Sequence, residues 1–323
     1  MAYMTYYRSQ LDLEEQKIYD ILVEAISKRE DDVVVTKIDR DRLFRIYTAI
    51  DYDYPDFFYV DFYEFKCIIY PTKVKIDIKY IMDIYTAARI KREIDKKAYK
   101  IADKARLLKN DLEKEAFLND EIKKMAEYGR IPGKEFNAQH LIGTFLDGIC
   151  VCEGFAKSFK YLADMIQLKC ILVVGDSGVR GENERHAWNM VQIDGESYFI
   201  DVTYNEIYRD SNNNPIYCSR AYFNLSDREI RRDHLPDTDF NLPVCNKSLS
   251  QIAIVSTTKD LINAIKNGYK RNDKFTEIRV TKMFEINEII DLIRNNISPT
   301  DIKWFNQIAM YHLSDYTLAI EWR

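Results

Sequence analysis

A chain of 323 residues, 46% hydrophobic and 31% charged, is long enough for two or three domains and too apolar to stay disordered. Its 47 basic and 52 acidic side chains give a formal charge of −5, which excludes a general polyanion binder and argues against a nucleic-acid partner. The longest apolar run, Cys170–Val174, falls far below the ~18–20 residues of a membrane helix.

In chain order, residues 12–29 place Ile18, Ile21, Leu22, Ala25 and Ile26 on one helical stripe, and a second short helix is predicted over Asp39–Ala49. Phe57–Ile69 and Val74–Tyr80 are rich in aromatic and β-branched residues; the second alternates strictly, and Pro71-Thr72 supplies a turn between two predicted strands. From Ile81 to Tyr128 the pattern turns helical: Ile90, Ile94, Ala98, Ile101, Ala105, Leu108 and Leu112 recur amid charges that form a solvated outer face. Seven of the ten glycines (143, 148, 154, 175, 178, 181 and 195) fall between 143 and 195, which marks special backbone geometry. Beyond Pro243, strands over Ile252–Ser256 and Thr276–Thr281, helices over Lys259–Asn267 and Glu285–Asn295, and closing strands over Asp301–Met310 and Tyr316–Trp322 predict a small α/β module. The expected division is 1–85, a helical and β segment; 86–245, the core; and 246–323, the C-terminal module.

The six cysteines are too few and too scattered for a disulfide scaffold, and Cys150 and Cys152 do not form a Cys-x-x-Cys pair. Reduced thiols, no structural zinc and no cofactor are expected. The N-terminus shows no basic start followed by an apolar stretch, so a cytoplasmic location is expected, with export left open.

Cys152 opens a helical pattern in which Phe155, Ala156, Phe159, Leu162, Ala163 and Ile166 share one face. A cysteine in the first turn of a helix meets unpaired N–H groups and the positive end of the dipole, which favour a thiolate. Among the four histidines (140, 186, 234 and 312), His186 opens a strand that Asp194-Gly195 folds back into a second one, Glu196 to Thr203. With that two-residue loop, facing residues sum to 389, and His186 and Asp201 become diagonal neighbours on one face, ~7–8 Å apart at Cα. A carboxylate there orients the imidazole and leaves its other nitrogen to a thiol. Nucleophile, base and orienting group are thus Cys152, His186 and Asp201. The 34 residues from Cys152 to His186 disfavour a papain-type order, whose histidine lies roughly 130–150 residues downstream.

These segments, Cys152-Glu-Gly-Phe-Ala-Lys-Ser-Phe, Arg185-His-Ala-Trp-Asn-Met-Val and Ile200-Asp-Val-Thr-Tyr-Asn205, resemble the three signature blocks of the transglutaminase-like superfamily. The likeness covers about residues 130–245, with Phe136-Asn-Ala upstream and Ala221-Tyr-Phe-Asn-Leu-Ser-Asp downstream. Asp56-Phe-Phe-Tyr is similar to a segment that accompanies this core in bacterial members. The resemblance implies an α+β, papain-like or transglutaminase-like core, with the nucleophile helix packed on an antiparallel sheet, and a Cys152–His186–Asp201 triad. Tyr204 stands where many members carry tryptophan, and nothing matches the calcium-binding regions of the animal crosslinking enzymes.

The expected chemistry is cysteine-dependent acyl transfer at an amide carbonyl of a protein or peptide, ending on water in a peptidase or deamidase. Crosslinking to an amine and a catalytically idle binding module are the alternatives. Gln139 is a candidate oxyanion donor beside the Cys152 N–H, and Trp188 and Tyr204 are candidate walls of the acyl site. His140 and His234 lack ligand spacing and are assigned to surface or core. Asp210-Ser-Asn-Asn-Asn214 lacks the glycine and glutamate of a calcium loop and reads as a polar turn.

Overall fold

The computed structural model describes residues 5–178, 184–209, 212, 214–250, 252–271, 275–280, 289–292, 295, 305–311 and 316–322. It is a mixed α+β protein. Asp12 caps α1 (Leu13–Lys28), accepting from the Glu14 and Glu15 N–H groups while Glu15 reaches back to the Asp12 N–H. After β1 (Asp32–Thr36) comes α2 (Arg40–Asp53), which runs four residues past the predicted end. Strands β2 (Lys66–Ile69) and β3 (Lys73–Asp77) complete an antiparallel sheet in the order β1-β3-β2. Two expectations change here. Strand β1, with Val33 and Val35 buried, lies where no strand is predicted. Of the predicted strand 57–69 only the last four residues form a strand, with Val60 making an isolated bridge to Tyr80, because Phe57, Phe58 and Phe62 enter the core from irregular segments.

Two long helices follow, α3 (Ile84–Ala105) and α4 (Asp111–Met125), broken where Asn110 caps the second. The two-residue strands β4 (Glu127–Tyr128) and β5 (Ile149–Cys150) pair in parallel around α5 (Glu135–Ala138) and a π turn at 143–147. Helix α6 (Cys152–Met165) leads into β6 (Cys170–Ser177), β7 (Glu184–Ile193) and β8 (Glu196–Ile200). A hairpin, β9 (Ile207–Arg209) and β10 (Pro215–Cys218), and α7 (Asp227–Ile230) precede β11 (His234–Pro236). The central sheet is antiparallel, in the order β11-β6-β7-β8.

That sheet is covered on both faces, and the period of two along each strand divides its side chains. Ile171, Val173, Trp188, Met190 and Phe199 pack with Ile18, Leu22, Ile46 and Ile50, so the N-terminal elements share a core with it. Val191, Ile193 and Ile200 pack instead with Phe155, Phe159 and Leu162 of α6 and with α3 and α4. His186 and Asp201 continue the first set in register, toward the N-terminal elements.

A separate core lies in the C-terminal sheet, ordered β12 (Ala253–Val255), β13 (Phe275–Val280), β15 (Tyr316–Trp322) and β14 (Phe305–Tyr311), with α8 (Thr258–Lys270) against it. Glu277 of β13 accepts from the Arg220 N–H at 2.8 Å and from the Ser219 hydroxyl, tying this module to the central unit. Of the helix expected at 285–295, residues 289–292 and 295 are described and helical; the rest lies outside the described residues, as does 301–304 of the next predicted strand.

Candidate active site

Cys152 is the first residue of α6, as its position before the apolar stripe predicts. Two contacts seat that end of the helix. The Val151 N–H donates to the Ala138 carbonyl at 3.0 Å, and Gly154 lies against the same carbonyl. A Cβ at 154 would stand 2.4 Å from Ala138 O, so only glycine permits the approach. The Cys152 side chain is half-buried, where a helix N-terminus favours negative charge.

The histidine arrives on the β7–β8 hairpin. Asp194 and Gly195 both have positive φ (51° and 86°), the backbone that a two-residue turn of this hand requires. Asn189 faces Ile200 and Ile193 faces Glu196, the register that sums to 389. Asp201 is the residue after β8, and its Oδ2 lies 2.7 Å from His186 Nε2. Its other oxygen accepts the Thr203 N–H at 2.8 Å and the Tyr204 N–H at 3.4 Å. Cys152 and His186 line the same cleft, and with Nε2 engaged by Asp201 the imidazole's other nitrogen is Nδ1. Burial opposes the charge on His186, but Asp201 and then Cys152 outweigh it and push its pKa up to about 10. Burial likewise acts to raise Asp201, which is 0% exposed, yet His186 and His234 hold it well below the usual carboxylate range.

His234 corrects the sequence reading, which gave it no acidic partner. It is 1% exposed, and its Nε2 lies 3.1 Å from the same Asp201 oxygen that His186 uses. Its Nδ1 lies 2.5 Å from Asp233, which in turn accepts from the Tyr222 hydroxyl at 2.7 Å. Burial acts to lower its pKa; the hydrogen bonds to Asp201 and Asp233 outweigh that and raise it. Strand β11 reaches this place because Gly175 of β6 has no side chain: a Cβ there would lie 2.2 Å from Leu235 O. His186, Asp201 and His234 are also the one group among the described residues whose donor atoms come within 4.8 Å of one another, as a metal would need. Their hydrogen bonds to each other and to Asp233 already account for that arrangement.

Trp188 and Tyr204 sandwich the imidazole. The Trp188 ring stacks on His186 at 5.9 Å and the Tyr204 ring at 4.8 Å, with the Tyr204 hydroxyl 2.9 Å from Ser177. Trp188 is buried and Tyr204 half-buried beside the imidazole, next to the cleft that holds the thiol. That cleft has a volume of about 400 Å³ and is lined by Cys152, His186, Gln139 and Arg130 on one side. Asp51, Tyr52 and Tyr63 line the other side, which makes the N-terminal elements part of the site. His140 is a core residue stacked on Phe136 at 4.1 Å, and burial holds its pKa well below the ordinary value. Of the turn at 210–214, residues 210, 211 and 213 lie outside the described residues.

No protein-family model and no curated protein matches the sequence. The fold is similar to parts of three solved structures. A TGase shares 15% identity and a TM-score of 0.31, over 47% of each chain. A proposed cysteine protease from Cytophaga hutchinsonii shares 16% identity and a TM-score of 0.29, over 43% of this chain and 61% of its own. A proposed protease from Parabacteroides distasonis shares 8% identity and a TM-score of 0.25, over 48% of this chain and 40% of its own. The matches therefore span about half the length of these solved chains.

Proposed function

We propose that this protein is a cysteine-dependent acyl transferase that acts on an amide carbonyl of a protein or peptide and passes the acyl group to water. The observation that supports the reading is that His186, hydrogen-bonded to the buried Asp201 carboxylate, lines the same open cleft as Cys152, the first residue of a helix. Asp201, fixed by two backbone N–H groups, sets the tautomer and orientation of the imidazole.

The Cys152 thiolate attacks the carbonyl carbon, and a C–S bond forms as the carbonyl oxygen takes the negative charge. The Cys152 N–H, which at the first helical residue has no intrahelical acceptor, and the Gln139 side chain at the cleft wall are the donors proposed for that oxyanion. Collapse breaks the C–N bond, His186 gives its proton to the leaving amine, and a thioester remains on Cys152. Water then attacks the thioester while His186 takes its proton, releasing a carboxylic acid and the thiol. Water is favoured over a lysine amine as acceptor because the cleft is open and shares wall residues with a larger cavity.

Intact-mass analysis of a glutamine-rich protein such as casein, incubated with the protein with and without a primary amine, tests this. Expected are cleaved bonds or single-dalton gains, absent with Cys152→Ala. An amine adduct in place of both would move the second step to crosslinking, and an unaltered casein that never forms a thioester with the folded wild type would end the enzymatic reading.

A further inference from the structure

A cavity of about 1150 Å³ lies on the N-terminal elements, between the first half of α2 and the paired ends of β2 and β3. It shares Phe44, Thr48, Tyr63 and Asp239 with the lining of the thiol cleft, so the two hollows form one continuous depression. Together they exceed the ~300–1,000 Å³ of a small-molecule pocket.

The chemistry of the lining is more telling than its size. The cavity carries many charges, yet its central cations are already engaged. Arg42 is held by Asp12, Glu14 and Glu15 at 2.5–3.0 Å, and Lys79 by Asp61 at 2.9 Å and by Glu64. Arg45 is paired with Glu15 at 3.2 Å and lies over the Phe240 ring at 5.0 Å. A charged ligand would have to compete with these pairs. Exposed charges remain at Arg40, Asp41, Lys66 and Asp239, but where the cavity meets the thiol cleft two rings stand out: Phe44 is 48% exposed and Tyr63 is 59% exposed.

The wall they form is also anchored to the nucleophile helix. The Tyr63 hydroxyl donates to Glu153 at 3.0 Å, the residue after Cys152, and Glu153 is held by the buried Lys157 at 2.8 Å, which pairs with Asp51 of α2 at 2.7 Å. A side chain seated on Phe44 and Tyr63 would therefore be positioned against the same frame as the thiol.

We propose that the junction of the two hollows, at Phe44 and Tyr63, is a specificity subsite that takes an uncharged, apolar side chain of an extended polypeptide, flanking the residue whose carbonyl meets Cys152. The inference rests on the acyl-transfer reading above and names the substrate class that the site prefers.

Two series of peptide probes test it, one with an iodoacetyl group at the N-terminus and one with a vinyl sulfone at the C-terminus, one to five residues long. Each carries leucine, glycine or aspartate at successive positions. With the iodoacetyl probes the Cys152 thiolate forms a C–S bond as iodide leaves; with the vinyl sulfones it adds across the double bond and the carbanion takes a proton. Both adducts are read by mass. In at least one series leucine at one position is expected to label Cys152 about tenfold faster than glycine, and aspartate there no faster than glycine. Phe44→Ser and Tyr63→Ser, both at exposed positions and checked for folding by thermal melting, should shrink that leucine-to-glycine ratio toward one. Rates independent of length and side chain in both series, a preference for aspartate, or a leucine gain undiminished in both variants would overturn the subsite. Iodoacetamide labelling that His186→Ala leaves unaltered would strike the acyl-transfer reading instead, and the leucine-to-glycine ratio would still decide the subsite.

Discussion

Two buried charge triplets flank the thiol, and both place one cation between two carboxylates. On the N-terminal side, Lys157 lies between Asp51 and Glu153; on the hairpin side, His234 lies between Asp201 and Asp233. The cations differ in kind. Burial works against the Lys157 ammonium, but Asp51 and then Glu153 hold its pKa above the ordinary lysine value, so this triplet keeps its charge throughout the neutral and alkaline range. An imidazole in the same arrangement can lose its proton within reach of an assay. The lysine triplet joins α2 to the nucleophile helix as a fixed clamp. The histidine triplet shares a carboxylate oxygen with His186, the proposed base.

Four measurements would break or sharpen that contrast. The largest effect is expected at the base itself: His186→Ala should slow iodoacetamide modification of Cys152 at pH 7 by ~10²–10⁴-fold, the usual range for a general base. Lys157→Met, measured on folded protein, should slow it far less, and comparable losses would dissolve the distinction between clamp and catalyst.

Stability should rank the other way. Lys157→Met leaves Asp51 and Glu153 buried without their cation, which is expected to cost ~3–5 kcal/mol in urea unfolding. His234→Met should cost less, ~1–3 kcal/mol, because Asp201 keeps His186 and two backbone donors and Asp233 keeps the Tyr222 hydroxyl. Equal costs would contradict that accounting.

The third measurement is the pH dependence of stability. His186 is raised in the folded protein from an ordinary value of 6.5 to about 10, so its contribution is complete below pH 6.5 and fades as pH rises toward 10. Asp201 is lowered, so its contribution is present above its ordinary 3.8 and fades only as pH falls below that value. Urea midpoints should therefore fall between pH 6.5 and 10 in the wild type, and in Cys152→Ala, which removes one of the groups that raise His186, that fall should be smaller and end at lower pH. A flat profile over this interval would refute the imidazolium.

The smallest and most discriminating effect concerns His234→Gln, whose amide can still donate to Asp201 but carries no charge. The groups facing position 234 are Asp201, Asp233 and His186, with Tyr204, Tyr222 and Trp188 around its ring. Removing a cation beside Asp201 leaves more of its charge for His186, so the alkaline limb of the turnover profile should move up by about one pH unit or less. A downward shift would show that His234 acts on the base by packing alone.

Much of this arrangement was legible in residue order. The Asp194-Gly195 turn fixes the hairpin register by local chemistry, and the 155–166 stripe fixes where the nucleophile helix begins. The C-terminal strands were legible for the same reason, each being a short run of residues suited to a half-buried pleat. His234 was not legible, because its partner lies 33 residues away and its strand is three residues long, too short for any periodicity. A faint signal existed in the Asp233-His234 pair and in Gly175, a glycine inside a strand, which often marks a close backbone approach. The run Phe57–Phe65 misled for a related reason: aromatic residues suit a strand's surface, yet here they fill a core from turns, a choice made by packing partners distant in sequence.

Gly175 carries a further consequence. It sits between two strands, facing His186 across β7 and Pro236 across β11, with no room for a carbon atom on the β11 side. One added methyl group there would force β11 outward and draw the second imidazole off the shared oxygen without altering any ionisable side chain. A substitution recorded as a minor packing defect would thus reappear as a changed alkalinity optimum, and an inherited variant of that kind would be misread by anyone looking only at the groups that carry protons.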